Sequence, residues 1–165
     1  MTFLSKIDTS PEGKEIEFLR GLTNRDLAES KQYRINVSYV LLDKDKTEYN
    51  FMQEFHLRDT QQYFSIMKEF AGNSLSDLFE NKRKYHLYPT ELKGNIADKL
   101  CKLYPAIDRL NPPDIYHFAL YNDKDVVADR DDDVRSPRIY FIVGEYGTIY
   151  PIFFDPYHEL NPLNV

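Results

Sequence analysis

Cysteine, tryptophan and long apolar runs are scarce or absent in this chain, and each absence excludes a class of protein. Of the 165 residues, one is cysteine, Cys101, and none is tryptophan. A lone cysteine forms no intramolecular disulfide and removes multi-thiolate metal sites. The N-terminus also lacks a charged and then apolar leader, so the sequence predicts a cytoplasmic location. No apolar stretch approaches the roughly 18 residues of a membrane helix, so no membrane association is expected.

Glycine and histidine are few, and their spacing matches no common cofactor or metal motif. None of the six glycines falls in a GxGxxG or GxxxxGKS/T pattern, so no nucleotide cofactor is predicted. The four histidines form no HxH or HExxH pair, so no metal is expected. The acidic run at 129–133 lacks the glycine and the final glutamate of a calcium loop, and we interpret it as a solvated loop.

The charge balance of the chain is acidic. Lys and Arg number 21 against 27 Asp and Glu, which gives a formal net charge of −6. Affinity for nucleic acid arises mainly from clustered cations, so this balance disfavours RNA as a partner. The local basic patches are residues 82–84 and Arg135 with Arg138.

Aromatic residues are abundant, with 13 tyrosines and 11 phenylalanines, and they predict an aromatic core. The length fits one domain, and no linker rich in glycine, proline and serine divides the chain. We therefore predict a single domain at 1–165. It has a polar N-terminal segment at 1–30, with a short helix capped by Asn24, and an α+β core at 33–165.

Hydrophobic periodicity assigns the elements of the first half of this core. Alternation predicts a β-hairpin between 33 and 57, with Ile35, Val37, Tyr39 and Leu41 on one face and Tyr49, Phe51, Phe55 and Leu57 on the return. Helical spacing then predicts a helix that is capped by Asp59 or Thr60, stops near Gly72 and buries Tyr63, Ile66, Met67 and Phe70. Shorter helices are predicted at 75–81 and 96–103, and an extended run or loop at 85–88.

The final third of the chain predicts three strands, at 115–121, 138–143 and 149–154, with a turn around Gly147 between the last two. Pro151 lacks the N–H group that a central strand uses, so the last strand is expected to lie at an edge or to carry a bulge. The predicted fold class is α+β: a mostly antiparallel sheet of about five strands with about three helices packed on one face.

Two groups of polar residues are candidates for chemistry. His117, Arg138 and Tyr140 lie on predicted strands and could line one groove, where such a trio can bind phosphate and move protons in RNA cleavage. Asp155 and His158 follow the last strand and could act together in acid–base catalysis. The alternative is structural: a His117 bonded to a backbone carbonyl, and an Asp155 bonded to neighbouring backbone N–H groups.

The order of features from about Tyr49 to Pro162 resembles small bacterial mobile-element proteins of the RelE/ParE-like toxin superfamily. The resemblance rests on "YNFMQEFHL", on the "IYHFALYN" strand and on the closing "RIYFIVGEYGTIYPIFFDPYHELNP". It implies ribosome-dependent mRNA cleavage or gyrase inhibition, with an antitoxin as partner. Carried over by position, it nominates as site residues His117, Arg138, Tyr140, Asp155 and His158.

Three features depart from that resemblance: the length, an N-terminal third without a counterpart, and the acidic charge. The acidic charge favours a non-enzymatic protein-interaction module, such as an immunity protein, an antitoxin-like protein or a phage accessory protein acting on a basic host target. An exposed aromatic patch would mark its partner surface, and the candidates are Tyr146, Tyr150 and Tyr157. The sequence thus leaves two function classes open, a toxin-like RNA-acting protein and an interaction module.

Overall fold

A computed structural model describes residues 3–8, 15–42, 57–91, 93–103, 113–121, 137–156 and 160. The strands are β1 (Phe3–Asp8), β2 (Glu15–Arg20), β3 (Asn36–Val37), β4 (Tyr88–Thr90), β5 (Ile115–Ala119), β6 (Arg138–Val143) and β7 (Thr148–Asp155). The helices are α1 (Asn24–Glu29), α2 (Leu57–Ala71), α3 (Leu75–Glu80), α4 (Lys82–Tyr85) and α5 (Asn95–Leu103). Single 3₁₀ turns occupy Ser30–Gln32 and Glu145–Gly147.

Five of the strands form one sheet in the order β3-β7-β6-β5-β4. All neighbours in it are antiparallel except β3 and β7, which run parallel. β1 and β2 form a separate two-stranded antiparallel hairpin, and β2 contacts β6. The predicted α+β class with a mostly antiparallel five-stranded sheet is confirmed.

Both faces of the sheet are covered. Successive side chains of a strand point to opposite faces, and nearly all residues of β5, β6 and β7 are buried. The first core lies under three helices, α2, α3 and α4, which supply among others Phe70, Leu75 and Tyr85. The second core contains Tyr140, Ile142 and Phe153, together with Ile96 from α5. α2, α3 and α4 therefore pack on one face, with Leu27 of α1 against the same core, whereas α5, which was predicted to lie on that face too, contributes to the other.

The helix predictions agree with the structure apart from details at their ends. The buried stripe of α2 is the predicted one, Tyr63, Ile66, Met67 and Phe70. However, Asp59 lies inside the first turn and is buried, so it is not the predicted cap. The extended run predicted at 85–88 is wrong at its start, since Tyr85 ends α4 and His86 takes a left-handed conformation at the helix C-terminus.

The N-terminal segment is more structured than its sequence indicates. It contains the β1–β2 hairpin. Periodicity missed this hairpin because charged residues occupy two of the six positions in "FLSKID" and three of the six in "EIEFLR", which leaves only a short apolar alternation in each strand. The helix α1 forms as predicted, but its cap is Thr23 rather than Asn24. Thr23 accepts from the backbone N–H of Asp26, whose carboxylate accepts in turn from the N–H of Thr23.

The β-hairpin predicted between 33 and 57 is wrong over the part that the structure describes. Only Asn36–Val37 is a strand, and it pairs in parallel with β7 instead of with a return strand. Ile35 joins the first core and Leu41 the second, so the two side chains do not share a face. Leu57 begins α2, and the return strand otherwise lies outside the described residues.

Pro151 marks a register break, as one of the two predicted alternatives requires. Phe141 lies opposite Pro151 while Tyr140 lies opposite Phe153, which leaves Ile152 as an extra residue on β7. β7 is not an edge strand throughout, because β3 pairs with its first two residues, Thr148 and Ile149. The acidic run at 129–133 lies outside the described residues. Among the described helices, none combines the length and the apolar character that a membrane crossing requires.

Candidate functional site

The sheet register brings four of the five predicted site residues to the same face. His117 lies directly opposite Tyr140, and Arg138 lies opposite Asp155. Residues 138 and 140 are two positions apart on β6, so their side chains point the same way. The predicted neighbourhood of His117, Arg138, Tyr140 and Asp155 therefore exists, whereas His158 lies outside the described residues.

This shared face is the second core, and it encloses most of the predicted group. The exposed fraction is 8% for His117 and 0% for Tyr140 and Asp155, while Arg138 is half-buried. The His117 Nδ1 atom lies 2.7 Å from the Thr90 hydroxyl, and the His117 and Tyr140 ring centroids are 5.4 Å apart. The Asp155 carboxylate accepts a 2.8 Å hydrogen bond from the backbone N–H of Leu160. These contacts hold strands and turns together, which is the structural alternative stated above for Asp155.

A second polar group, which the sequence did not indicate, lies where β5 meets α2. The carboxylate of Asp59, 1% exposed, accepts a 2.8 Å hydrogen bond from the Tyr121 hydroxyl. The Arg58 guanidinium lies 5.2 Å from the centroid of the Tyr121 ring. Burial raises the pKa of the Tyr121 phenol; Arg58 partly opposes this shift, and the hydrogen bond to Asp59 adds to it. The group ties the start of α2 to the end of the sheet.

A groove lies between the N-terminal helical turns and the β6–β7 turn. It encloses about 230 Å³. Two tyrosines from distant parts of the chain form its aromatic rim, with the Tyr33 and Tyr146 ring centroids 5.5 Å apart and the rings nearly perpendicular. The described residues that line it are Leu22, Asp26, Leu27, Glu29, Ser30, Gln32, Tyr33, Leu75, Gly144, Glu145, Tyr146 and Gly147. We call this feature the tyrosine groove.

Tyr146 stands out within the tyrosine groove for its conformation and its exposure. Its backbone is left-handed, with φ 57° and ψ 36°, a region that a bulky residue rarely occupies. Tyr146 is 70% exposed, so burial of its side chain offsets little of the conformational free energy that the left-handed backbone costs. Strained backbone positions of this kind concentrate at binding sites.

The tyrosine groove is acidic. Its described lining includes the carboxylates of Asp26, Glu29 and Glu145 and no lysine or arginine. Asp26 is engaged in the cap of α1, and Glu29 pairs with the exposed Arg25 at 3.1 Å. Glu145 forms no ion pair with any residue in the described ranges. Burial, and secondarily the charge of Glu145, raises the pKa of the neighbouring Tyr150 phenol.

The predicted aromatic patch is reproduced only in part. Tyr146 is exposed, but Tyr150 is half-buried against the second core, and its ring approaches the backbone at Gly144. Tyr157 lies outside the described residues. The tyrosine that lies beside Tyr146 is instead Tyr33. No sequence signal indicates this pair, because the two residues are more than 100 positions apart and only the sheet brings them together.

Comparison with known proteins provides no relative to guide the assignment. No family model matches the sequence, and no curated protein and no solved structure shows significant similarity to it. Within the described residues, no group of three His, Cys, Asp or Glu side chains is placed to hold a metal ion. The resemblance to RelE/ParE-like toxins remains a prediction from sequence.

Proposed function

We propose that the protein is a non-enzymatic protein-interaction module that binds its partner at the tyrosine groove. The observation that carries the proposal is Tyr146, a bulky aromatic side chain held 70% exposed on a left-handed backbone beside Tyr33. Neither the exposure nor the conformation benefits the isolated fold. Tyrosine is among the residues that most often supply the binding energy of protein interfaces, so a partner that covers Tyr146 accounts for both features.

The alternative, a toxin-like RNA-acting protein, has less support. A general acid or base must reach the proton that it transfers. Of the nominated residues that the structure describes, which leave out His158, three are at most 8% exposed: His117, Tyr140 and Asp155. Arg138 alone offers no proton at neutral pH, because a guanidinium does not deprotonate in proteins. The acidic net charge of −6 also opposes an RNA-binding surface.

Affinity capture with matched variants tests the proposed function. Tagged wild-type protein, Tyr146→Ala and Tyr88→Ala are used to capture partners from native lysate, and the bound proteins are quantified by mass spectrometry. Tyr88 is 47% exposed and does not line the tyrosine groove, so its variant controls for the loss of an exposed ring. We expect the wild type and Tyr88→Ala to retain one stoichiometric partner, and Tyr146→Ala to retain about 10-fold less of it, as for an interface hot spot.

Two results would contradict the proposal. One is a wild-type protein that runs as a monomer on sizing and retains no stoichiometric partner. The other is a partner that Tyr146→Ala retains as well as Tyr88→Ala does. Thermal denaturation of the three proteins shows whether any loss of capture comes from unfolding.

A further inference from the structure

We infer that the tyrosine groove recognises a basic segment of a partner protein and seats an arginine side chain of that segment against Tyr33 and Tyr146. The inference rests on the proposed function and adds the chemistry of the partner. It commits to a cationic protein segment. Equal or tighter binding of a neutral or acidic segment would contradict it.

Charge complementarity supplies the first argument. Three carboxylates and no basic side chain are found among the described lining residues. The Glu29 carboxylate is partly neutralised by Arg25, but both side chains are well exposed, and such surface pairs are weak. Glu145 lies next to Tyr146 in the chain and has no cationic partner in the described ranges. The groove therefore carries a negative potential that favours a cationic ligand.

The aromatic rim supplies the second argument. A cation is attracted to the face of a tyrosine ring, and arginine does this more often than lysine. The Tyr33 and Tyr146 rings meet edge to face at 5.5 Å, and with 37% and 70% of these residues exposed, ring surface remains open to a ligand. Arginine can also donate two charge-assisted hydrogen bonds to a carboxylate, whereas a neutral side chain donates only uncharged ones. Tyr146 beside Glu145 offers both kinds of contact.

The turn that carries Tyr146 is held firmly against Tyr33, which preorganises the rim. Gly147 has φ 73°, and a Cβ atom there would lie 3.1 Å from the Arg34 carbonyl oxygen and 3.3 Å from the Tyr33 Cβ atom. The two backbone segments thus approach as closely as a glycine allows. A rim fixed in this way loses little conformational freedom on binding, which improves the affinity for a matching ligand.

Peptide binding to the full chain tests the inference directly. The probe is a fluorescein-labelled peptide of alternating arginine and serine, titrated by fluorescence polarisation beside an identical peptide with citrulline in place of arginine. We expect the citrulline peptide to bind about 10-fold more weakly, since citrulline keeps the shape and loses the charge. We also expect the arginine peptide to lose affinity as salt is raised.

Two matched charge variants locate the effect. Glu145→Gln removes the groove carboxylate, and Glu91→Gln removes an exposed carboxylate that does not line the groove. We expect Glu145→Gln to weaken binding of the arginine peptide about 3- to 10-fold and Glu91→Gln to leave it unchanged. Equal binding of the citrulline peptide, equal effects of the two variants, or no detectable binding of the arginine peptide would each overturn the inference.

These results can be separated from failure of the proposed function. If Tyr146→Ala abolishes partner capture while the arginine peptide does not bind, the groove is an interface for another chemistry and only the inference fails. If Tyr146→Ala leaves partner capture intact, the proposed function fails, whatever the peptides do.

Discussion

At the scale of single residues, Tyr146 shows a conflict between backbone and side chain. The β6–β7 turn requires a left-handed residue at this position, where glycine is the least strained choice, yet the chain places a tyrosine there. At the next position, which also has a positive φ, the chain does use a glycine, Gly147. The tyrosine is therefore not explained by the turn, which supports a role in binding.

Substitution of Tyr146 by glycine and by alanine measures this strain. Both variants lose the ring contact with Tyr33, but only alanine retains a Cβ atom in the left-handed region. We expect Tyr146→Gly to be more stable than Tyr146→Ala by about 1 kcal/mol in chemical denaturation. The exposed Ser65, within α2, is the control, since there the glycine variant should be less stable than the alanine variant by about 1 kcal/mol. The same order of stability at both positions would show that the turn at 146 is not strained.

At the scale of elements, the short helix α3 depends on its N-terminal cap. Ser74 accepts from the backbone N–H of Asp77, and the Asp77 carboxylate accepts from the backbone N–H of Ser74 at 2.9 Å. Six residues are too few for a stable isolated helix, so this reciprocal cap and the burial of Leu75 and Leu78 fix the element. Helices of this kind can be predicted from sequence, because the capping residues and the apolar residues lie within a few positions of one another.

The cap of α3 predicts a pH-dependent loss of stability. We expect Ser74→Ala to lower the free energy of unfolding by about 1 kcal/mol at neutral pH. The backbone hydrogen bond from Ser74, followed by its side-chain hydrogen bond, lowers the pKa of Asp77 below its ordinary value of 3.8. Because the pKa of Asp77 is lower in the folded state, the ionised carboxylate stabilises the fold at pH values above its ordinary pKa. This contribution is lost as the pH falls through the folded-state pKa.

The measurement is urea denaturation of wild type and Ser74→Ala at neutral pH and at several values below 3.8. The difference between them should shrink as Asp77 becomes protonated, because a protonated carboxyl is a weaker acceptor. Ser65→Ala, which removes a serine without a cap, should show no such trend. A difference that stays constant across this range would mean that the Asp77 charge does not contribute to the cap.

At the scale of the whole molecule, the decisive feature is that both faces of the sheet are packed. The face that carries His117, Tyr140 and Asp155 is closed by the second core, whereas the tyrosine groove lies at the end of the sheet, between the α1 region and the β6–β7 turn. A sheet covered on both sides leaves its ends and connections as the natural place for a site.

Expression in bacteria tests the choice between the two function classes. We expect the wild type, His117→Ala and Arg138→Ala to be equally harmless to growth after induction, because the side chains of His117, Tyr140 and Asp155 are enclosed and the chain is acidic. Growth curves and viable counts provide the measurement, with Western blots to confirm equal expression. Growth arrest by the wild type that either substitution relieves would favour the toxin-like alternative.

The sequence alone was sufficient for the elements whose signals are local. The spacing of Tyr63, Ile66, Met67 and Phe70 predicted α2, and alternation with a turn at Gly147 predicted β6 and β7, because helical and extended periodicities leave direct traces in neighbouring residues. The same reasoning failed at 33–41, where apolar residues divide between two cores, and in the charged strands β1 and β2.

Only the tertiary structure decided which polar and aromatic residues are accessible. Alternation correctly placed His117, Arg138 and Tyr140 on one face, but whether that face is open depends on Ile96 and Leu160, which are distant in the chain. The pairing of Tyr33 with Tyr146 likewise follows from the parallel contact of β3 with β7. Burial depends on long-range packing, and a periodic pattern records only that a face is apolar or polar.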